Sequence, residues 1–318
     1  MSSISLGPDA TVTPDKTSAS RSAHHLSVCI CTYKRPELLR HLLASLTKQD
    51  TQGLFSFSIV VSDNDASQSA RPVVQAFSGE SRIPISYCCE PEQNIALARN
   101  NAVANADGDF IVFIDDDEFP IDTWLYTLLT TCLKYDVDGV LGPVKPSFET
   151  EVPGWLKRGG FFDRQVHPTG TVTKWPEARS GNVLFRAKII DGIAAPFRRE
   201  FASAGEDVDF FRQMIEKGHN FIWSAEAVAY EVVPASRCTR SYVLKRALLR
   251  GSNFHKHPRH RVRNLMKSLI AVPCYTLALP FLALCGQHVF MSFLVRLVDH
   301  GSRLFAFAGL PLVRQRNI

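Results

Sequence analysis

Asp109-Phe-Ile-Val-Phe-Ile-Asp-Asp-Asp-Glu118 is the stretch on which the reading of this chain turns. Its apolar half, Phe110 to Ile114, is an unbroken β-branched and aromatic run of the kind that forms a strand covered on both faces. Its second half is four acids in a row. A strand of this type delivers its acids to the carboxyl edge of a sheet, where open α/β folds bind their ligands. Three consecutive aspartates repel one another in a folded cleft unless a cation joins them. Carboxylate oxygens suit hard Mg²⁺ or Mn²⁺, which keep waters and share their shell with substrate phosphates. A solvated acidic turn is the other meaning of such a run, and its place at the end of a buried strand argues for the metal.

Working outward, apolar strands alternate with amphipathic helices. Leu26-Ser-Val-Cys-Ile-Cys-Thr32 reads as a buried strand, and Tyr33-Lys-Arg-Pro36 turns the chain into a helix with Pro36 in its first turn. Leu38, Leu39, Leu42, Leu43 and Leu46 carry the helical spacing over 37–46. A second strand over 57–61 ends at Ser62-Asp-Asn-Asp65. A helix over 69–77, a strand over 84–89 and a helix over 94–104 lead to the acidic strand. Beyond it the text predicts a helix over 124–134, strands over 139–143, 183–186 and 221–223, and a helix over 206–217 closed by Gly218. Residues 146–180 read as loop. The alternation indicates βαβ units and a mostly parallel sheet flanked by helices.

Composition adds a second message. The chain has 318 residues, 45% of them hydrophobic and 21% charged, with 21 Phe, which excludes fibrous and wholly disordered readings. Net charge is +5, but from Arg237 onward there are 14 Lys and Arg against one acid, Asp299. The remainder then holds 36 − 14 = 22 bases and 31 − 1 = 30 acids. An acidic body therefore precedes a basic tail. Residues 1–25 are polar and aperiodic, a disordered lead-in, and 26–240 form the α/β domain. Residues 241–318 are a basic and apolar helical region, with cations and histidines over 245–267 before apolar 269–298. Such a tail suits anionic headgroups and an interfacial or re-entrant helix pair. Its core, Leu269–Cys285, has 17 residues and contains Pro273 and Pro280, which is short for a spanning helix needing about 20. The adjoining apolar run argues against nucleic acid as the partner of the basic stretch. Eight cysteines with no C-x-x-C spacing and no cleavable leader point to free thiols in a reducing cytosol.

Five motifs occur in order: Val28-Cys-Ile-Cys-Thr-Tyr-Lys-Arg-Pro36, Ser62-Asp-Asn-Asp65, Asn94-Ile-Ala-Leu-Ala-Arg-Asn100, Gly108-Asp-Phe followed by Asp115-Asp-Asp-Glu118, and Gly205-Glu-Asp207. Together they resemble the family 2 glycosyltransferases of the GT-A fold. Val140-Leu-Gly-Pro143 and Glu231-Val-Val-Pro-Ala-Ser-Arg237 are most similar to the ExoM-type glucosyltransferases of succinoglycan synthesis. The likeness spans about 28–250.

The resemblance implies a metal-dependent inverting enzyme that moves a hexose, glucose favoured, from a UDP-sugar to a polyprenyl-diphosphate-linked saccharide on the cytoplasmic side of the inner membrane. The rival expectations are another sugar or acceptor, such as lipopolysaccharide or O-antigen, and a non-catalytic member of a polysaccharide assembly complex. On the resemblance, Thr32 and Tyr33 line the nucleotide pocket. Asp63 bonds the uracil ring, with Asp65 as helper, unless both are turn or capping residues. Arg99 reaches the nucleotide or its phosphates. Asp115 touches ribose and metal, Asp117 ligates Mn²⁺ or Mg²⁺, and Asp116 and Glu118 position. Asp207 is the base for the acceptor hydroxyl, with Glu206 and Asp209 as fallbacks. Arg237 and Arg240 are placed to grip a donor or acceptor diphosphate through guanidinium forks. Trp155 and Trp175 are open to stacking on a sugar or to core packing. Many relatives carry a His where this chain has Tyr230, so either Glu231 substitutes for it or the metal relies on diphosphate and water. There is no Gln-x-x-Arg-Trp, which favours transfer of a single sugar over processive synthesis.

Overall fold

The computed structural model describes residues 24–201, 205–253 and 261–310. The expected lead-in falls almost wholly outside the described residues, although His24 and His25 already belong to the first strand. Strands β1 (His24–Thr32), β2 (Phe55–Asp63), β3 (Ile85–Cys89) and β4 (Phe110–Ile114) run parallel to one another. Helices α1 (Pro36–Leu46), α2 (Arg71–Glu80) and α3 (Ile95–Ala104) connect them. Asn94 caps α3, its side chain accepting the N–H groups of Ala96 and Leu97.

A short β5 (Glu118–Pro120) and helix α4 (Trp124–Tyr135) follow, then β6 (Gly139–Leu141), β7 (Val144–Phe148) and helix α5 (Gly154–Gly159). The domain continues through β8 (Asn182–Arg186), α6 (Glu206–Glu216), β9 (Phe221–Trp223) and β10 (Ala229–Val233). The main sheet runs β3-β2-β1-β4-β8-β6-β9, with β8 antiparallel to both its neighbours. This is the mostly parallel α/β sheet that the sequence predicts.

The sheet is covered on both faces. Leu26, Val28 and Ile30 of β1 and Phe110, Val112 and Ile114 of β4 pack with the leucines of α1, with Val73 and Val74 of α2, and with Trp124, Leu125, Leu128 and Leu129 of α4. Cys29, Ile111 and Phe113 face the other way, toward α3 and toward Phe210, Phe211 and Met214 of α6. Buried layers on each side explain why the strand texts are continuously apolar rather than alternating.

Two findings depart from the sequence reading. First, the expected loop 146–180 contains the end of β7 and helix α5, and β7 joins a second sheet of order β5-β10-β7. Its strands are short and carry Pro146 and Glu118, so they lack an apolar run to announce them. Second, the tail is longer in helix than its apolar core suggests. Helix α7 (Arg240–Asn253) precedes α8 (Arg261–Leu282), which has 22 residues because it begins in the basic segment and takes Pro273 and Pro280 inside it. Leu265–Cys285 is long and apolar enough to cross a membrane by length and composition, and only 6% of it is buried. Helix α9 (Gln287–Phe307) returns alongside α7 and α8. Part of the His255–Arg263 cluster lies outside the described residues. Val243, Ala247, Met291 and Val295 enclose Trp155 and Leu156 of α5, so the tail shares a core with that helix of the α/β domain.

Candidate active site

The pleat of β4 decides which acids meet which bases. Side chains alternate along a strand, so Asp115 follows Ile111 and Phe113 toward the layer of α3 and α6. There Arg99 Nη2 donates to Asp115 Oδ1 at 3.3 Å, and Arg99 Nε donates to Glu206 Oε1 at 3.3 Å. The guanidinium is buried and lies over the rings of Phe113 (5.3 Å) and Phe197 (5.9 Å). Burial alone loosens its proton, but Asp115 and Glu206 outweigh this and hold its pKa above the ordinary value. Arg99 is a fixed cation joining the end of β4 to the start of α6.

The next two acids turn back toward β1. Asp116 accepts the Thr32 hydroxyl at 2.7 Å and Arg35 Nη1 at 3.0 Å. Asp117 lies 3.3 Å from Arg35 and 3.9 Å from Arg237, which is itself 3.5 Å from Glu231. The Asp117 carboxyl is pushed up to about 6, first by burial, then by Asp115, Asp116 and Glu231, against the pull of Arg35.

The small sheet supplies the fourth side. Antiparallel pairing sets Glu118 of β5 directly opposite Glu231 of β10, an arrangement of like charges that destabilises unless neutralised. Arg164 provides the charge, hydrogen-bonded to Glu231 and 3.9 Å from Glu118 Oε1. That oxygen is buried with no hydrogen-bond partner among the described residues. Burial and then Asp115 hold the Glu118 carboxyl well above the usual range. An added Cβ at Gly181 would stand 2.8 Å from Glu118 Oε1 and 2.9 Å from Asp115 Oδ2, so bare backbone closes this cradle. The same register pairs Tyr230 with Phe119, their rings stacked at 5.5 Å on the opposite face of the small sheet. Glu231, not Tyr230, is therefore the side chain that β10 turns toward the acids.

The carboxylates of Asp115, Asp117, Glu118 and Glu231 are hard oxygen donors. Two of them are held above their ordinary pKa, and one buried oxygen is orphaned. A divalent cation relieves this kind of crowding, so the residues fit such an ion. No group of three His, Cys, Asp or Glu converges on a metal position among the described residues; Asp115, Asp117 and Glu231 are each turned toward an arginine instead.

The three acids that open α6 differ. Asp209 is held by Arg198, Arg212 and Gln213, whose hydrogen bonds overcome its burial and keep it below the ordinary range. Glu206 is tied to Arg99, yet burial still raises it. Asp207 Oδ1 accepts the N–H of Val208 at 2.7 Å, and no ion pair joins Asp207 to an arginine among the described residues. Gly205, with φ of 95°, makes the left-handed entry to this helix.

Asp63 is fully buried and accepts the N–H groups of Asp65 (3.1 Å) and Ala70 (2.8 Å) and the Tyr87 hydroxyl (3.0 Å). This is the turn arrangement weighed against uracil binding, and of about four lone-pair sites it leaves one. Asp65 closes a turn onto Ser67 in the same way. Tyr33 is half-buried beside Lys34, whose ammonium lies 5.1 Å from the Tyr33 ring centre. Arg240, expected to grip a diphosphate, donates to Gln287 at 3.0 Å and lies over Trp155, on the side of α9. It opens α7, so its direction follows the tail helices. Trp155 is core, and Trp175 packs against the α3 and α6 layer. The sequence reading missed Arg35 and Arg164. Arg35 stood inside the first motif, whereas Arg164 lies in a stretch without periodicity and had no signal.

A mostly parallel Rossmann-like sheet, with an acidic loop on its carboxyl edge and a small sheet behind that loop, is the GT-A architecture of sugar-transferring enzymes. Residues 27–202 match the model for glycosyl transferase family 2. The succinoglycan biosynthesis protein ExoM of Rhizobium meliloti is 35% identical over 231 residues, 71% of this chain and 73% of that protein. A GalNAc(5)-diNAcBac-PP-undecaprenol beta-1,3-glucosyltransferase of Campylobacter jejuni is 32% identical over 105 residues, 33% of each chain. The fold also matches S. aureus TarS 1–349 in complex with UDP-GlcNAc, with TM-score 0.53 and 18% identity over 71% of this chain and 65% of that one. The chain belongs to glycosyl transferase family 2, and it is a glycosyltransferase.

Proposed function

We propose that the protein is an inverting, metal-assisted hexosyltransferase that moves one sugar, glucose favoured, from a UDP-sugar to a lipid-linked oligosaccharide in exopolysaccharide synthesis. The observation that carries this reading is the convergence of Thr32, Arg99, the Asp115–Glu118 loop, Glu231 and the start of α6 at one edge of the sheet. The names of the relatives support donor and acceptor: succinoglycan for ExoM, an undecaprenol-linked glycan for the Campylobacter enzyme, UDP-GlcNAc for TarS.

A divalent cation held by Asp117 with Asp115 or Glu231 would neutralise charge on the departing diphosphate. The chain's own residues do the rest. Arg35 and Arg237, already beside Asp117, are placed to turn to diphosphate oxygens. Thr32 and Asp116 hold the strand end in place. Asp207 takes the proton of the acceptor hydroxyl as its oxygen bonds to the anomeric carbon and the bond to the UDP oxygen breaks. Attack from the face opposite the leaving group inverts that carbon, and no covalent enzyme adduct is needed. Arg99 keeps Glu206 occupied, which leaves Asp207 as the base.

Membrane attachment belongs to the same proposal. Leu269, Ile270, Leu277 and Phe281 stand exposed on α8 and Leu284 in the turn just beyond it, and the 14 cations from Arg237 onward complement an anionic leaflet. We assign this surface to the cytoplasmic face.

UDP release by detergent-purified protein across a panel of UDP-sugars, with Mn²⁺ or Mg²⁺, tests the reading. Metal-dependent hydrolysis of one donor is expected, and Asp207→Asn should lower it by about 10²–10⁴-fold. Unchanged release in that variant would remove Asp207 from the mechanism. No UDP binding by any metal form would leave a non-catalytic role.

A further inference from the structure

A cavity of about 270 Å³ opens beside the acid cluster and takes no part in the chemistry above. Its walls include Arg164, His167, Glu177, Arg179, Asn182 and Trp223. Asn182 follows Gly181, where an added Cβ would meet the carboxylates of Glu118 and Asp115, and Arg164 bonds Glu231. The cavity is thus the next compartment along the carboxyl edge, under β6, β8 and β9. The turn at 175–177, which carries Glu177, packs against α6, the helix that Asp207 opens.

Its chemistry is specific. Trp223 is 7% exposed, and its Nε1–H has no hydrogen-bond partner among the described residues. A buried indole N–H without a partner costs about 1–3 kcal/mol, and such groups in native proteins commonly await a ligand or water. The Trp223 ring is backed by His167 at 5.1 Å, and His167 Nε2 lies 3.4 Å from Glu177. Arg179 Nη1 donates to the carbonyls of Pro176 and Ala178, which anchors one end of its guanidinium fork and leaves further N–H groups for a ligand. An aromatic wall, an orphan donor, a carboxylate and a guanidinium around a space this small suit one pyranose ring. The ring's C–H face would lie on the indole while its hydroxyls bond the polar rim.

Resting on the transferase reading, we propose that this cavity binds the terminal hexose of the acceptor, with Trp223, Glu177 and Arg179 as specificity-determining residues. Arg164 lines the cavity and also bonds Glu231, so a sugar held there would lie beside the acid cluster.

The test is direct binding of methyl β-D-glucopyranoside and its galacto and manno epimers to full-length protein, followed by saturation-transfer NMR in the presence of UDP and Mn²⁺. Saturable binding of at least one epimer is expected. It should weaken about tenfold in Trp223→Phe, which keeps a smaller aromatic face and loses the N–H, and similarly in Glu177→Gln, with UDP affinity within twofold of the unmodified protein in both. Urea midpoints confirm that the variants are folded. Absence of binding by all three epimers, or equal binding in both variants, would overturn the assignment. Displacement of the hexoside by an intact UDP-sugar would give the cavity to the donor sugar and overturn it too. Failure of the transferase reading shows separately, as unmodified protein that binds no UDP.

Discussion

Replacing Asp117 by Asn should abolish turnover and yet stabilise the metal-free protein. The unfolded chain releases this proton near the ordinary 3.8, whereas the folded protein holds it up to about 6. At about 1.36 kcal/mol for each pH unit, keeping Asp117 ionised in the fold costs about 3 kcal/mol. The stability lent by the retained proton is fully present below pH 3.8 and is lost as pH rises through about 6. Asparagine has no such loss. Its amide serves Arg35 less well than a carboxylate does, an effect of up to about 1 kcal/mol for a pair whose arginine is partly exposed. The expected net gain is therefore about 2 kcal/mol at pH 7.5, shrinking below about 1 kcal/mol at pH 5. Urea unfolding of both proteins in detergent and chelator at the two pH values measures it. Adding Mn²⁺ should then raise the midpoint of the unmodified protein and leave the variant where it was. A variant less stable at pH 7.5, or a gain that fails to grow with pH, would refute the account of crowded carboxylates awaiting a cation.

Three further outcomes follow from the same geometry. Arg99→Ala strands buried Glu206 without its cation and should lower urea stability by about 3 kcal/mol; Arg99→Lys should recover only part, because one ammonium cannot bridge Asp115 and Glu206 as the fork does. Gly181→Ala pushes a methyl group into the cradle of Glu118 and Asp115 and should weaken Mn²⁺-dependent UDP binding about tenfold, about 1.4 kcal/mol by calorimetry, with metal-free UDP binding unaffected. Leu277→Glu combined with Phe281→Glu, both 73% exposed, should abolish flotation with anionic vesicles while leaving the detergent-solubilised fold intact. Deleting all of 241–318 would be a poorer test, because it strips Val243, Ala247, Met291 and Val295 from around Trp155.

Much of the molecule was legible in the chain alone, for an identifiable reason. Strands β1, β2 and β4 are covered on both sides, so their texts are unbroken apolar runs, and their termini carry the residues that the motifs single out. Thr32, Asp115 and the start of α6 at Glu206 were placed correctly at element ends, because the apolar run that marks a strand covered on both faces ends there and acids favour the first turn of a helix. The basic tail was visible as charge arithmetic, since 14 cations against one acid need no structure to be seen.

What tertiary structure decided is pairing. Sequence order says nothing of which acid an arginine meets, and Arg35, Arg99, Arg164 and Arg237 are divided among the carboxylates by the pleat of β4 and the register of β10 on β5. The same register turns Glu231 inward and Tyr230 outward, a one-residue matter that alternation settles once a partner strand exists. Arg240 was paired in the text with Arg237 as a diphosphate grip; in the fold it follows α7 toward Gln287 of α9. Residues 146–180 looked featureless because their elements are stabilised by packing against distant strands and not by their own periodicity. Local propensity and burial are written along the chain, whereas charge partnership and cavity shape arise between segments far apart in it.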